Sequence, residues 1–445
     1  MKENKPNADG TWSANTTNAE QPKTPVYIGI AVGLGALLWL APFMGLNSVL
    51  NPQKLANIFG GPGSQVNNFL ALLGTLGAVT STITTIIIGA LSDLTRSRWG
   101  RRTPWIVVGS VLTAAVMVGL GMVNDKSQLP IFIVLWCLIQ TFINMIVAPL
   151  IAVIADRVAP SHRGTISSIY AIGYVIGQYG GPVIGGRFLS TANPGLVNTG
   201  YYVLAIMMLI SGPVAAMIMR EKSSLGMPKQ KLDLSGFVQA FIFPIHHVRN
   251  FYLALFGKMM INIAVTAFGT YQVFVLTSGM GLASSEAGQY ISWMGTATMI
   301  TAIIFSSTSG GVSDKIRTRK WPVAFSAVLT AIGTILPFVW RVPSSMIWYG
   351  IVAGTGAGIF FSVDQALNLE VLPNPENSAK DLGILNFANT GAQILAPVLG
   401  AILFNMVGKE YMPILPILSI IALLGAGLVL CIKEDRAKIG GKDEA

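Results

Sequence analysis

The chain has 445 residues and only 48 charged side chains, 29 Lys or Arg and 19 Asp or Glu, less than half the share of a typical water-soluble domain. Hydrophobic residues make up 52% and run in long continuous stretches, which excludes a soluble enzyme and speaks against a β-barrel with its period-two alternation. The net charge of +10 sits in short segments between those stretches, so it reads as a topology signal and not as a nucleic-acid surface.

Residues 1–25 form a polar tail with no apolar core and no small-residue cleavage site, so no cleavable signal peptide is expected. Stretches of spanning length follow near 26–50, 66–92, 103–123, 130–155, 164–189 and 199–220. Six more lie near 251–277, 285–311, 321–340, 344–369, 383–407 and 411–432. This predicts an all-α integral membrane protein with twelve transmembrane helices in two pseudo-symmetric bundles. The N-terminal bundle covers 26–220 and the C-terminal bundle 251–432, joined by the polar loop 221–250 and followed by a tail at 433–445.

Placing the N-terminus in the cytosol puts 23 of the 29 basic residues in inner segments. Lys54, Lys126, Arg187, Arg341 and Lys409 then lie outside, and Lys258 falls within a span. Both termini are therefore expected in the cytosol, in a multi-pass protein of the cell membrane. Cys137 and Cys431 lie in apolar segments and suggest no disulfide.

The halves echo each other. Residues 89–102 read GALSDLTRSRWGRR and 310–320 read GGVSDKIRTRK, so Gly89, Ser92, Asp93, Arg96 and Arg98 recur as Gly310, Ser313, Asp314, Arg317 and Arg319. Asp156 and Glu370 close the fourth helix of each half, each followed shortly by a proline. One topology repeated in parallel is the pattern of a two-bundle transporter.

The string Gly-x-x-x-Asp-x-x-x-x-Arg-x-Gly-Arg-Arg between the second and third spans resembles the major facilitator superfamily. The longer GALSDLTRSRWGRRTPWIVVG, 89–109, is most similar to its sugar-transporting branch, the glycoside–pentoside–hexuronide symporters and the sucrose and proton-coupled sugar carriers. The resemblance implies that this loop is a gating latch. Gly89 would admit close helix approach, and Asp93 would bond Arg98 or a helix N-terminus of the other half. Arg101 and Arg102 would face inside, toward lipid phosphate. Asp314 and Arg319 would repeat the latch, with Asp156 and Glu370 at its flanks. Simple topology setting is the alternative for all of these residues.

Ionisable groups within a bilayer are costly, so the few present call for a reason. Lys258 on the seventh span and Asp364 on the tenth lie about equally deep, roughly 9–11 Å from the inner ends of their helices. The resemblance implies that the first, fourth, seventh and tenth helices line a central cavity. Lys258 and Asp364 are therefore expected to pair, with Asp364 as the candidate cation-coupling carboxylate. A static ion pair and separate snorkelling remain open. Melibiose-type relatives carry aspartates on the second and fourth helices, and none occurs here before Asp93 or Asp156. That leaves proton symport or plain facilitation.

Sugar hydroxyls call for amides, and sugar rings for aromatic faces. Trp39, Phe43, Asn47 and Asn51 recur at steps of four on the first span, and Gln140 and Asn144 do so on the fourth. Tyr170, Tyr174 and Gln178 lie on the fifth span, and Asn262, Thr266, Tyr271 and Gln272 on the seventh. Tyr290 and Trp293 on the eighth and Asn386, Asn389 and Gln393 on the eleventh complete the candidate substrate contacts. Ordinary helix packing is the competing reading for each.

Gly354-x-Gly356-x-Gly358 lies inside a span and follows no strand, so helix packing explains it better than nucleotide binding. Pro42, Pro149, Pro182 and Pro397 predict kinks. The stretch 232–248 mixes apolar and polar residues and is expected along the membrane surface. His162, His246 and His247 fall in loops, and no metal-ligand spacing, Gly-x-Ser-x-Gly elbow or Walker loop occurs. No enzymatic activity, metal or cofactor is expected. A proton gradient would drive a functional monomer, bedded in lipid, carrying a sugar or glycoside by alternating access. An uncoupled sugar facilitator and a carrier of another small organic solute are the alternatives.

Overall fold

The computed structural model describes residues 21–227, 244, 248–372 and 378–433, with side chains of 378–380 excepted. The first twenty residues, His246-His247, most of 232–248 and Pro373 lie outside them. The fold is all-α: α1 (Val26–Gly45), α2 (Asn51–Phe59), α3 (Ser64–Leu94), α4 (Thr103–Met122), α5 (Leu129–Arg157), α6 (Arg163–Gly186) and α7 (Pro194–Met219) make up the first half. The second half holds α8 (Arg249–Phe274), α9 (Ser284–Lys315), α10 (Lys320–Val339), α11 (Ser345–Glu370), α12 (Ser378–Met406) and α13 (Ile414–Leu430). A π-turn, Leu46–Leu50, joins α1 to α2, so the thirteen helices make twelve spans among the described residues.

In hydrocarbon every backbone polar group must be satisfied within the segment, and an apolar run of this length has helix as its solution. Among the described residues, ten helices are long and apolar enough to cross a membrane. Arg163–Gly186, with Tyr170, Tyr174, Gln178 and Tyr179 along it, is not among them, and Ile414–Leu430 is apolar but shorter. Pro104 and Pro130 sit in the first turns of α4 and α5, where a missing N–H costs nothing. Pro42, Pro149, Pro182 and Pro397 lie within helices, as do Pro213 and Pro337. Basic side chains close helix C-termini. Arg157 donates to the Met219 carbonyl at 2.7 Å, and Lys320 Nζ donates to that of Ile432 at 2.8 Å.

The first span differs most from expectation. The chain does not leave the helix near residue 50 but continues through the π-turn into α2. Lys54, expected in an outer loop, is 2% exposed there, and its Nζ donates to Asn198 Oδ1 at 2.6 Å. The π-turn adds a residue to one helical turn, so the step-of-four stripe from Trp39 breaks before Asn51.

Two compact units can be distinguished. Among the described residues, one takes in 21–44, 79–181 and 201–227. The other takes in 45–78, 182–200 and the described residues from 244 on. The core of the second unit gathers Phe251, Leu255, Val323, Ala327, Phe360, Leu367, Leu385 and Val429, and so ties α8, α10, α11, α12 and α13 together. Within it Gly354, Gly356 and Gly358 face Thr298, Ser326 and Ala302, with no room for a methyl group between α11 and its neighbours α9 and α10. The α6 and α9 backbones meet at Gly186 and Gly288 in the same unit. A Cβ on Gly89, by contrast, meets nothing within 4 Å, so close approach there is not the role of that residue.

Candidate functional site

At the basic end of the first unit the side chain preceding α4 organises the loop. Arg102 bonds Asp93 through Nη2, donates to Asp156 Oδ2 from Nε at 3.0 Å and reaches Ser92 Oγ with Nη1. Arg101 Nη2 lies 2.7 Å from Asp156 Oδ1. Both arginines are buried among these partners instead of facing outward, while Arg98 is exposed and makes no ion pair among the described residues.

The second half repeats this geometry atom for atom. Arg319 pairs through Nη2 with Asp314 at 2.5 Å, through Nε with Glu370 at 3.4 Å, and through Nη1 with Ser313 Oγ at 3.0 Å. The structural counterpart of Arg319 is therefore Arg102. The sequence alignment chose Arg98 because the second loop is four residues shorter between its aspartate and its arginine. What the fold repeats is the arginine immediately before the third helix of each half, not its distance from the aspartate.

Sequence reading missed Glu221. Its carboxylate accepts the backbone N–H groups of Arg101 at 3.0 Å, Arg102 at 3.1 Å and Thr103 at 2.8 Å, and the Thr103 hydroxyl at 2.8 Å. An acid at a helix N-terminus satisfies orphan donors and meets the positive end of the macrodipole. Ser97 and Ser224 bond each other as well, the Ser97 N–H to Ser224 Oγ and the Ser224 N–H to the Ser97 carbonyl. No local sequence signal announces a cap 118 residues away from Thr103.

Arg102→Ala is expected to cost about 3 kcal/mol, the low end for breaking a buried pair because Asp93 is half exposed. Arg98→Ala should leave stability unchanged. Thermal melting of the two purified variants checks this.

The second unit holds the buried ion pair. Lys258 Nζ on α8 lies 2.5 Å from Asp364 Oδ2 on α11, and the side chains are 8% and 9% exposed. Asn368 Nδ2, one turn along from Asp364, donates to the same oxygen at 2.9 Å. One turn from Lys258, Asn262 donates to Asn389 Oδ1 at 2.7 Å, and Asn389 donates to Asn386 Oδ1 at 2.7 Å. A charged pair and a ladder of amides thus lie side by side along α8.

Other candidates are engaged elsewhere. Tyr271 donates to the Pro397 carbonyl at 2.9 Å and Gln272 to the Ser48 carbonyl at 3.3 Å, both buried in helix contacts. Asn51 is buried, Gln393 is exposed, and Trp293 is half exposed with Tyr290 edge-on at 5.1 Å. In the first unit Phe43 stacks on Trp136 at 5.9 Å beside Trp39, and Tyr170 lies 6.2 Å from Tyr174. Asn144 donates to Ser81 Oγ at 2.9 Å and to the Gln140 carbonyl at 2.7 Å. Asn47 and Gln178 are partly buried, with no hydrogen bond among the described residues. Among the described residues no group of three or more His, Cys, Asp or Glu side chains is placed to hold a metal ion.

The family pattern described as Major Facilitator Superfamily matches residues 32–291 and 259–445. An uncharacterized MFS-type transporter, C18.02 of Schizosaccharomyces pombe, is 29% identical over 164 residues, 37% of this chain and 36% of its own. Sucrose transport protein SUC3 of Arabidopsis thaliana is 24% identical over 129 residues, 25% of this chain and 22% of its own. The chain thus spans about a third or less of either relative.

Three solved folds are similar. A bacterial homolog of the human lysosomal transporter Spinster has TM-score 0.65 at 14% identity, over 92% of this chain and 95% of that one. A variant of the nucleoside transporter NupG gives 0.67 at 12%, over 92% and 100%. The peptide transporter POT gives 0.66 at 14%, over 93% and 95%. Identities this low speak for the fold alone. With twelve spans among the described residues, the repeated arginine ion pairs and a family pattern covering most of its length, the chain belongs to the major facilitator superfamily.

Proposed function

We propose that this transporter carries a sugar or glycoside by alternating access, together with protons. Two six-helix halves, 26–220 and 251–432, would rock about the substrate, with both termini in the cytosol and the latch arginines on the inner side. The buried Lys258–Asp364 pair carries this reading. An ion pair placed in a span and joined by only one further hydrogen bond is a costly device if its role is stability alone. Proton binding to Asp364 would release Lys258 and so link protonation to helix movement. The amide ladder from Asn262 to Asn386 supplies the donors and acceptors that sugar hydroxyls need. The partial likeness to a sucrose transport protein points the same way.

The test is uptake by purified protein in proteoliposomes, with labelled glucose, xylose, sucrose and maltose alongside uridine and a dipeptide. At least one sugar should accumulate when the lumen is alkaline, and a protonophore should abolish that accumulation. Entry of uridine or the dipeptide with no sugar entering would overturn the substrate class. Sugar entry indifferent to the pH gradient would make the protein a facilitator.

A further inference from the structure

Two donors converge on one oxygen of Asp364. Lys258 Nζ lies 2.5 Å and Asn368 Nδ2 2.9 Å from Oδ2, while Oδ1 receives no hydrogen bond among the described residues. Asn368 is 3% exposed and sits one turn from Asp364 on α11. We infer that Asn368 is a positioning residue for proton exchange: it holds the Asp364 carboxylate through Oδ2 and leaves Oδ1 as the oxygen that takes the proton. This rests on the coupling role proposed for Asp364.

The two donors differ in what they respond to. Lys258 belongs to α8, so its bond breaks if α8 and α11 separate. Asn368 belongs to the same helix as Asp364, four residues on, and moves with it. When Lys258 departs, the amide still fixes the carboxylate plane. Protonation then adds one proton from water to Oδ1, Oδ2 stays the acceptor for Asn368, and Lys258 keeps its charge for a new partner.

Among the described residues of the elements packed against α11, the other charges lie at helix ends. The elements packed against α11 are α8, α9, α10 and α12. Besides Lys258 they carry Arg249, Glu286, Asp314, Lys315, Lys320, Lys380 and Asp381, and each of these lies in the first or last turns of its helix. Asp314 pairs with Arg319, and Lys320 bonds the Ile432 carbonyl. On α11 itself Glu370 pairs with Arg319, and Phe360 offers its ring to Lys258 at 5.9 Å.

Infrared difference titration of purified full-length protein in lipid nanodiscs reads this without any transported solute. The wild type should show a carboxylic-acid band that is missing in Asp364→Asn. In Asn368→Leu, of matching shape but without the donor, that band should move to higher frequency, because Oδ2 no longer accepts the amide hydrogen bond. Asn368→Ser, too short to reach Oδ2, should move it the same way. Asn368→Gln, which keeps an amide, should recover at least part of the shift. An unmoved band, or one moved to lower frequency, in the Leu and Ser variants overturns the inference, as does the lack of any Asp364-dependent band. Transport that proves uncoupled while the band still shifts would refute the coupling role and leave the positioning role standing.

Discussion

Gly288→Val is expected to lower transport at least tenfold while the protein remains folded and monodisperse. At the end of the bundle away from the basic loops, the backbones of α6 and α9 meet at Gly186 and Gly288. A Cβ on Gly288 would overlap the Gly186 carbonyl oxygen, and one on Gly186 would come within 2.5 Å of the Gly288 carbonyl oxygen. Backbone atoms have no rotamer to retreat into, so the helices must part. Ser292 Oγ, which reaches the Val183 carbonyl at 2.9 Å, would lose that contact and keep the Gly288 carbonyl of its own helix, also at 2.9 Å. In the same unit Tyr411 donates to Asn67 Oδ1 at 3.1 Å, and Ser64 to Asn405 Oδ1 at 2.7 Å. If the protein works by alternating access as proposed, parting the helices here would cost it one of its two states. Cysteine labelling of residues near this contact should rise in the valine variant. Gly288→Ala should behave alike but more weakly, and Gly89→Ala, with open space around it, should transport normally. Normal uptake by Gly288→Val would show that the contact does not have to form.

The second large effect is expected at the ion pair. Asp364→Asn should abolish accumulation against a gradient while exchange of labelled for unlabelled substrate continues, because exchange needs binding and rocking but no net proton movement. The variant leaves Lys258 without a counter-charge inside the span, a change that costs about 3–5 kcal/mol where a buried pair is broken. Lower thermal stability is therefore expected with it. Asp364→Leu combined with Lys258→Met removes both charges and should recover stability without recovering accumulation. That combination separates coupling from folding. Accumulation by the double variant would assign the pair a purely structural role.

Much of this was legible in the sequence because the bilayer simplifies it. Continuous apolar length located the spans, and matching depth brought Lys258 to Asp364. Asn262, Asn386 and Asn389, expected at the substrate from residue type, bond one another between α8 and α12. Spacing arguments failed where geometry departs from regular spacing. The π-turn at Leu46–Leu50 cannot be seen in a periodic pattern, so α2 and its buried Lys54 were taken for a loop. The shorter second loop hid the equivalence of Arg102 and Arg319. Tyr271 and Gln272 have the composition of a binding surface but spend their polar atoms on backbone carbonyls. Glu221 and Asn368 act through single bonds, one across 118 residues and one across four, and neither leaves a compositional trace.

The central claim is that Asp364 passes protons in step with substrate. It is tested most directly in proteoliposomes loaded with a pH-sensitive dye, with no initial gradient, to which the transported sugar is added outside. The account predicts that sugar entry acidifies the lumen for the wild type and leaves lumenal pH unchanged for Asp364→Asn. Sugar entry without acidification in the wild type, or equal acidification in both proteins, would contradict it.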